Sequence, residues 1–189
     1  MIRAILQFGL WTFICGIFYP AIVYGFAKFA FPKASSGSLV EFDGKILGSE
    51  LIAQSFDSPE YFHSRPSAIG YDSSSSGGSN LGPTSVLLSK KVEERRAYWI
   101  ARGGAELVPS ELLYSSGSGL DPHLSPEAVK YQIPLVAKVK GISEEKLGGL
   151  VEGSIEPPEW GLFGSFKINI LKLNLKLRSI YLEENILKK

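Results

Sequence analysis

The sequence is poor in the residues that most often carry catalysis or metal binding, with one cysteine and two histidines among 189 residues. The lone Cys15 has no second thiol to pair with, so no disulfide framework is expected. His63 and His123 have no second type of metal ligand at helix or hairpin spacing, which argues against a zinc site. The net charge is only +1, with acids and bases interspersed, so the chain shows no footprint for nucleic acid.

Sequence signatures of catalysis are also missing. The nucleophile elbow of serine hydrolases needs a glycine two residues before and two residues after the serine, and neither Ser79 nor Ser118 has both. We therefore predict no catalytic residue in this chain. A membrane-anchored, serine-dependent enzyme is the alternative function, and covalent labelling of a serine would support it.

One stretch has the glycine spacing of a phosphate-binding loop, Gly77-Gly78-Ser79-Asn80-Leu81-Gly82-Pro83-Thr84. Pro83 stands where the phosphate-contacting lysine belongs, so the loop lacks the charge that offsets a triphosphate. The candidate nucleotide-binding residues are Gly77, Gly78, Ser79, Asn80 and Gly82. The simpler interpretation is favoured, in which these glycines allow positive φ in a tight surface loop.

The rest of the chain is organised around a long uncharged run near its start, residues 4–27. Roughly 20 mainly apolar residues are enough for a helix to cross a hydrocarbon core of about 30 Å. A secretory signal is the alternative, but its apolar core is usually only about 7–15 residues long. We predict a retained single-pass membrane helix within residues 1–31, with a kink at Pro20. Basic residues flank the run on both sides, so charge alone leaves its orientation open.

After this anchor, the composition predicts a hinge at 32–38, one α+β domain at 39–178 and a C-terminal extension at 179–189. Asp43-Gly44 between two apolar runs predicts a β-hairpin, and the residues of 70–83 are typical of a long loop. Helices are expected to begin at four serines, Ser58, Ser85, Ser125 and Ser143.

Two segments carry mixed signals. The helix that begins at Ser125 runs towards Gly141 and should be disturbed at Pro134. The alternating leucines of 166–177 fit a strand, but a strand that gives way to a helix at Asn169 fits equally well.

Several longer motifs occur in a fixed order along the chain. They are Tyr61-Phe62-His63-Ser64-Arg65-Pro66-Ser67-Ala68, Ser116-Gly117-Ser118-Gly119-Leu120-Asp121-Pro122-His123, Tyr131-Gln132-Ile133-Pro134 and Leu173-Asn174-Leu175. From the apolar run to about Leu177, this order closely resembles KdpC, the small subunit of the bacterial Kdp potassium-transporting P-type ATPase. The chain departs from that family at Ser64, where glycine is usual, and at Leu135, where a basic residue is usual.

The resemblance implies an accessory subunit of an inner-membrane complex, with the amino terminus in the cytoplasm and the domain outside. Its implied partners are a potassium-channel-like subunit, a P-type ATPase subunit and a short single-helix subunit. ATP and potassium would be handled by these partners, since the chain lacks an Asp-Lys-Thr-Gly phosphorylation motif and a Gly-Tyr-Gly filter. Members are described as aiding assembly and as catalytic chaperones that raise the ATP affinity of the ATPase subunit. Assembly is favoured here, because an external domain meets almost no ATP.

The candidate residues for contact with partner subunits are Gly77, Gly78, Asn80, Gly117, Gly119 and Gln132. The loop at 73–82 is almost free of large side chains, so it buries little apolar area, while ordering it costs about 1–2 kcal/mol per residue. We therefore expect another subunit's surface to order it. Substitutions at Gly77 and Gly78 should then weaken assembly and leave the stability of the domain itself little changed.

Overall fold

A computed structural model describes the backbone of residues 1–42 and 44–187, and the side chains of 1–42 and 44–181. The chain forms two compact units, Met1–Ser49 and Glu50–Lys189. This division falls after the hairpin, whereas the boundary predicted from the sequence lies before it. Asp43 of the predicted turn and the end of the predicted extension, 188–189, lie outside the described residues.

The first unit begins with one long apolar helical segment. It consists of helix α1 (Ile2–Phe13), a π-helical turn (Ile14–Phe18) and helix α2 (Tyr19–Ala30). Together these form a helix of 29 residues with no part buried, apolar and long enough to cross a membrane. The π turn ends at Phe18, two residues before Pro20, which has no N–H to donate to the previous turn. The helix is therefore locally widened next to Pro20, and the kink itself stays a prediction.

The predicted hairpin follows the helix. A short 3₁₀ turn (Ala34–Ser36) leads to strand β1 (Leu39–Phe42), which pairs antiparallel with strand β2 (Lys45–Ser49). The register shifts between Val40 and Glu41, as in a β-bulge. The hairpin is confirmed, with its Gly44 at φ 72°, a conformation that favours glycine.

The second unit mixes helices with one small sheet, which confirms the predicted mixture of helix and sheet. Its strands β3 (His123–Leu124) and β4 (Ile168–Asn169) pair antiparallel. Its helices are α3 (Val86–Ala101), α4 (Ser110–Leu113), α5 (Pro126–Lys140), α6 (Glu144–Glu152) and α7 (Ile170–Leu187).

Three of the four predicted helix starts are confirmed, with serine as the cap. The hydroxyl oxygens of Ser85, Ser125 and Ser143 each accept the N–H three residues later, at 3.3 Å. These bonds satisfy amides that have no partner inside a helix. The second of these helices runs to Lys140 without a break at Pro134, so the predicted disturbance does not interrupt it.

The prediction that a helix begins at Ser58 is wrong. Only a turn forms there, closed by the Tyr61 N–H on the Ser58 carbonyl at 3.2 Å. The next backbone groups are bound by distant side chains, because the Phe62 N–H donates to Asn174 Oδ1 and the His63 N–H to Gln132 Oε1. At 166–177 the second alternative is confirmed, since strand β4 ends at Asn169 and helix α7 begins at Ile170.

The core of the second unit is built around helix α5. Seven of its residues are buried, and they pack with apolar side chains of the other helices and of the sheet. The largest fully buried side chains are Phe62, Leu112, Leu124, Leu147, Ile168, Ile170, Leu173 and Leu177. Trp99, only 5 % exposed, joins helix α3 to this core.

Two buried amides fix the segment that carries Phe62 and His63. Asn174 on α7 accepts the Phe62 N–H at 2.9 Å and donates to the Phe62 carbonyl at 2.8 Å. Gln132 on α5 accepts the His63 N–H at 2.8 Å and donates to the His63 carbonyl at 3.2 Å. Each amide thus satisfies both backbone groups of one residue in an interior that water does not reach.

Candidate interaction site

The two glycine-rich stretches of the sequence lie against each other. The Gly77 N–H donates to the Ser118 carbonyl at 2.8 Å, and the Ser76 hydroxyl donates to the same oxygen at 3.3 Å. The first loop (71–83) is therefore ordered in part by the second loop (115–121) of the same domain. The expectation that another subunit's surface orders this loop stays a prediction for the rest of the loop.

The absence of side chains allows this close approach. A Cβ added to Gly78 would lie 3.1 Å from the Gly117 carbonyl oxygen. At Gly119, which has φ 71°, a Cβ would lie 2.8 Å from the Gly77 oxygen and 2.6 Å from the Ile69 side chain. By contrast, nothing lies within 4 Å of a Cβ added to Gly82. Gly78 and Gly119 are therefore needed for packing inside the domain.

The start of the first loop is held by hydroxyl groups. Ser67 Oγ accepts the N–H groups of Ile69 at 3.2 Å and of Tyr71 at 3.0 Å, and the Tyr71 hydroxyl donates to the Arg65 carbonyl at 2.8 Å. Tyr71 has φ 59° and Asn80 φ 53°, so both bends of the loop use left-handed backbone. Asn80 itself is exposed.

A cleft of about 400 Å³ adjoins the first loop and helix α3. Its lining residues are Asp57, His63, Ser64, Pro66, Tyr71, Arg95, Tyr98, Trp99 and Leu112. Arg95 donates to the Leu113 carbonyl at 2.6 Å and to Ser115 Oγ at 3.0 Å, and it pairs with no carboxylate among the described residues. The Ser64 hydroxyl is buried without a hydrogen-bond partner in the described part of the chain.

Burial sets the protonation states in this cleft. It lowers the pKa of His63 to about 4, helped by Arg102 and opposed by Asp57. It raises the pKa of the Tyr71 phenol, as does Asp57, while Arg95 acts against them. Burial also lowers the pKa of Arg95, but a guanidinium remains charged in proteins. At neutral pH the cleft thus holds a neutral imidazole, a neutral phenol and the Arg95 cation, with the acidic residue Asp57 also in its lining.

A series of neighbouring charged groups includes Asp121, the last residue of the second loop. Arg65 Nη1 lies 3.1 Å from Asp121 Oδ2, and Asp121 Oδ1 accepts the His123 N–H at 3.0 Å. His123 lies 3.8 Å from both Asp121 and Glu156, and Lys172 bridges Glu156 and Glu50. Burial nevertheless holds the pKa of His123 below its ordinary value, with Lys167 the next contributor.

These groups suit recognition of polar surfaces better than covalent chemistry. Among the side chains that the structure describes, no serine hydroxyl is hydrogen-bonded to a histidine ring, and Ser118 Oγ accepts the Leu120 N–H instead. The same residues contain no group of three or more potential metal ligands. The glycine loop at 77–82 is preceded by loop and not by a strand, and its Gly77 amide is already bound.

All but the last ten residues of the chain match a known protein family. Residues 1–179 match the family described as "KdpC: K+-transporting ATPase, c chain". The chain belongs to the KdpC family. A relative from Rhodopseudomonas palustris strain TIE-1, named a potassium-transporting ATPase KdpC subunit, is 46 % identical over 180 residues, covering 88 % of this chain and 90 % of the relative. A relative of the same name from Geobacter metallireducens is 44 % identical, covering 92 % and 94 %.

In this KdpC family member, side-chain amides near the ends of these motifs hold backbone segments of the domain in place. Gln132 is 1 % exposed and its amide is occupied by the His63 backbone, so it lies inside the domain and not on its surface. Asn169 donates to the Glu50 carbonyl at 2.8 Å and its side-chain oxygen accepts the Lys172 N–H at the start of α7. Of the interface candidates, Gly77 and Gly78 are partly exposed, Asn80 and Gly117 are exposed, and Gly119 is buried.

Sequence reasoning missed Arg95. It belongs to a run of charged residues on the predicted helix at 85–102, where helical periodicity assigns it to the solvent side. Its role follows from two backbone segments that meet it, at Leu113 and Ser115, which lie 18 and 20 residues further along the chain. No short-range signal in the sequence indicates that contact.

Proposed function

We propose that this chain is a non-catalytic accessory subunit of a Kdp potassium-uptake complex in the inner membrane. The observation that carries the proposal is the family match over residues 1–179, which includes the apolar helix as well as the folded unit. Its partners in this proposal are the channel-like subunit, the P-type ATPase subunit and the short single-helix subunit. Its work there is to assemble and stabilise the complex.

An indirect effect on ATP is part of the proposal. The family is described as raising the ATP affinity of the ATPase subunit, and contact with that subunit is enough to do so without bound nucleotide. Three features support this assignment: Pro83 in place of the phosphate-binding lysine, the Gly77 amide bonded to Ser118, and Asn80 in a left-handed bend. Potassium and ATP are therefore assigned to the partner subunits.

The proposal is tested by omitting the chain. Complexes prepared from membranes with and without it should differ in yield of assembled pump and in potassium-stimulated ATP hydrolysis. The purified chain alone should release phosphate at background rates. Turnover by the chain alone that is lost on Ser79→Ala would contradict the proposal and favour the serine-dependent enzyme.

The proposed orientation places the second unit outside the cytoplasmic membrane. Ser74 is exposed in the first loop, so a Ser74→Cys variant in a Cys15→Ser background offers one accessible thiol. A membrane-impermeant thiol reagent should label it in intact spheroplasts. Labelling that requires lysis would place this unit in the cytoplasm.

A further inference from the structure

The second unit carries a cluster of apolar side chains that its core does not use. Residues 157–166 read Pro-Pro-Glu-Trp-Gly-Leu-Phe-Gly-Ser-Phe. Four of their large side chains are mostly exposed: Trp160 at 90 %, Leu162 at 81 %, Phe163 at 63 % and Phe166 at 57 %. Single exposed apolar residues are ordinary, but four within seven positions form a patch, and such patches mark interaction sites.

This aromatic loop (157–166) has a defined backbone. Its base is closed by two hydrogen bonds between Glu156 and Lys167, at 2.8 and 3.1 Å. Its tip is closed by two more between Glu159 and Phe163, at 2.9 and 3.0 Å. Pro157 and Pro158 stiffen the entry, since proline fixes φ. The aromatic side chains are thus displayed on a preformed turn.

The tip places a tryptophan where a glycine would fit better. Trp160 has φ 52°, in the left-handed region that bulky residues rarely adopt, next to Gly161 at 73°. The indole ring packs edge to face on Phe163, with ring centroids 6.1 Å apart, and it is outside the core cluster of the described residues. A strained, exposed aromatic residue is of no use to the fold, and such strain concentrates at functional positions.

We propose that the aromatic loop is a docking anchor, which inserts Trp160 into an apolar pocket on another subunit of the Kdp complex. This inference rests on the proposed function and adds the surface through which it acts. Tryptophan is enriched among the few residues that dominate interface energies, and a preformed turn lowers the entropy lost on binding.

The charges of the loop favour a protein pocket over a lipid surface. The loop at 157–166 contains one acid, Glu159, and no lysine or arginine, whereas segments that lie on anionic membranes carry basic residues. The two residues of its base, Glu156 and Lys167, add one charge of each sign. Glu156 bonds to Lys172 at 3.1 Å, and Glu159 is exposed beside Trp160. The matching site is therefore an apolar pocket rimmed by basic or N–H groups that receive Glu159.

The test uses the full chain, tagged and co-expressed with the pump subunits. Trp160→Gly removes the ring while supplying the residue that the backbone prefers, so the variant should fold at least as stably as the wild type. We expect its association with the pump to weaken about tenfold or more. Leu107→Ala is the matched control, because Leu107 is 86 % exposed elsewhere in the same unit, and it should associate normally.

The outcomes separate the two proposals. Normal association of Trp160→Gly overturns the docking anchor and leaves the accessory function standing. Failure of the wild-type chain itself to associate with the pump overturns both. Equal weakening by Leu107→Ala overturns the anchor as well, since the effect would then belong to exposed apolar surface in general.

A second measurement distinguishes protein from lipid. A polarity-sensitive dye on Ser165→Cys, an exposed position of the loop that leaves Trp160 in place, is read in the Cys15→Ser background in lipid nanodiscs with and without the pump subunits. A blue shift that appears only with those subunits supports the pocket. A blue shift in nanodiscs that contain this chain alone would assign the loop to the membrane surface, and no shift in either would leave the loop without a partner. Each of the last two results overturns the proposal.

Discussion

The contact between the two glycine-rich loops predicts a graded series of alanine variants. At Gly119 the added methyl group meets Ile69 and the Gly77 oxygen inside 3 Å, and the backbone has φ 71°. Left-handed strain costs about 1–3 kcal/mol and overpacking about 1–3 kcal/mol, so Gly119→Ala should lose roughly 2–6 kcal/mol of unfolding free energy. Gly78→Ala meets one backbone oxygen at 3.1 Å and should lose about 1–2 kcal/mol, at the low end of overpacking.

Two neighbouring glycines supply controls within the same loop. At Gly77 a methyl group lies 3.6 Å from the Ile69 side chain, an ordinary contact, and at Gly82 it meets nothing. Alanine at either position should change stability by no more than about 1 kcal/mol, with a gain possible through the lower entropy of the unfolded chain.

The assay is urea unfolding of the detergent-solubilised chain, followed by the emission of the buried Trp99 in a background where Trp11 and Trp160 are replaced by Phe. The expected order of destabilisation is Gly119, then Gly78, then Gly77 and Gly82 together. The reasoning is refuted if Gly119→Ala and Gly82→Ala unfold at the same urea concentration. The loops would then not pack on each other as described.

Two further predictions concern the core and pH. Gln132→Ala and Asn174→Ala should each lose about 2–5 kcal/mol of unfolding free energy, because each leaves a buried backbone N–H and C=O without partners. The exposed Leu107→Ala control should lose much less, and an equal loss in that control would contradict this prediction. The His63 pKa of about 4 lies below its ordinary 6.5, so the neutral imidazole stabilises the fold. This contribution to the unfolding free energy amounts to up to about 3 kcal/mol. It is complete above pH 6.5 and is lost as the pH falls towards 4. The difference in stability between wild type and His63→Gln should follow this pH window, and a difference that does not change with pH would contradict it.

Two identical capping signals show that a local sequence pattern does not by itself decide whether a helix forms. Ser125-Pro126-Glu127 and Ser58-Pro59-Glu60 carry the same capping signal, yet only the first begins a helix. After Ser58, the backbone of Phe62 is hydrogen-bonded to Asn174, 112 residues away, and the backbone of His63 is hydrogen-bonded to Gln132, 69 residues away. A cap is worth about 1 kcal/mol, less than four buried hydrogen bonds, so the distant contacts decide the local structure.

The candidate site was predictable in its parts but not in its assembly. The sequence shows two glycine-rich loops, and it does not show that Gly77 bonds to Ser118 across 41 positions. Positive φ at Gly119 was consistent with glycine chemistry, whereas positive φ at Trp160 contradicts side-chain preference and could not be predicted. Such exceptions are expected where function opposes the needs of the fold.

The membership of this chain in a potassium pump is tested most directly by purification of the tagged full chain from detergent-solubilised membranes. The account predicts that the channel-like and ATPase subunits elute with it in fixed proportion, and that the eluate hydrolyses ATP in response to potassium. Elution of the chain alone, from membranes in which the pump subunits are present and active, would contradict the account.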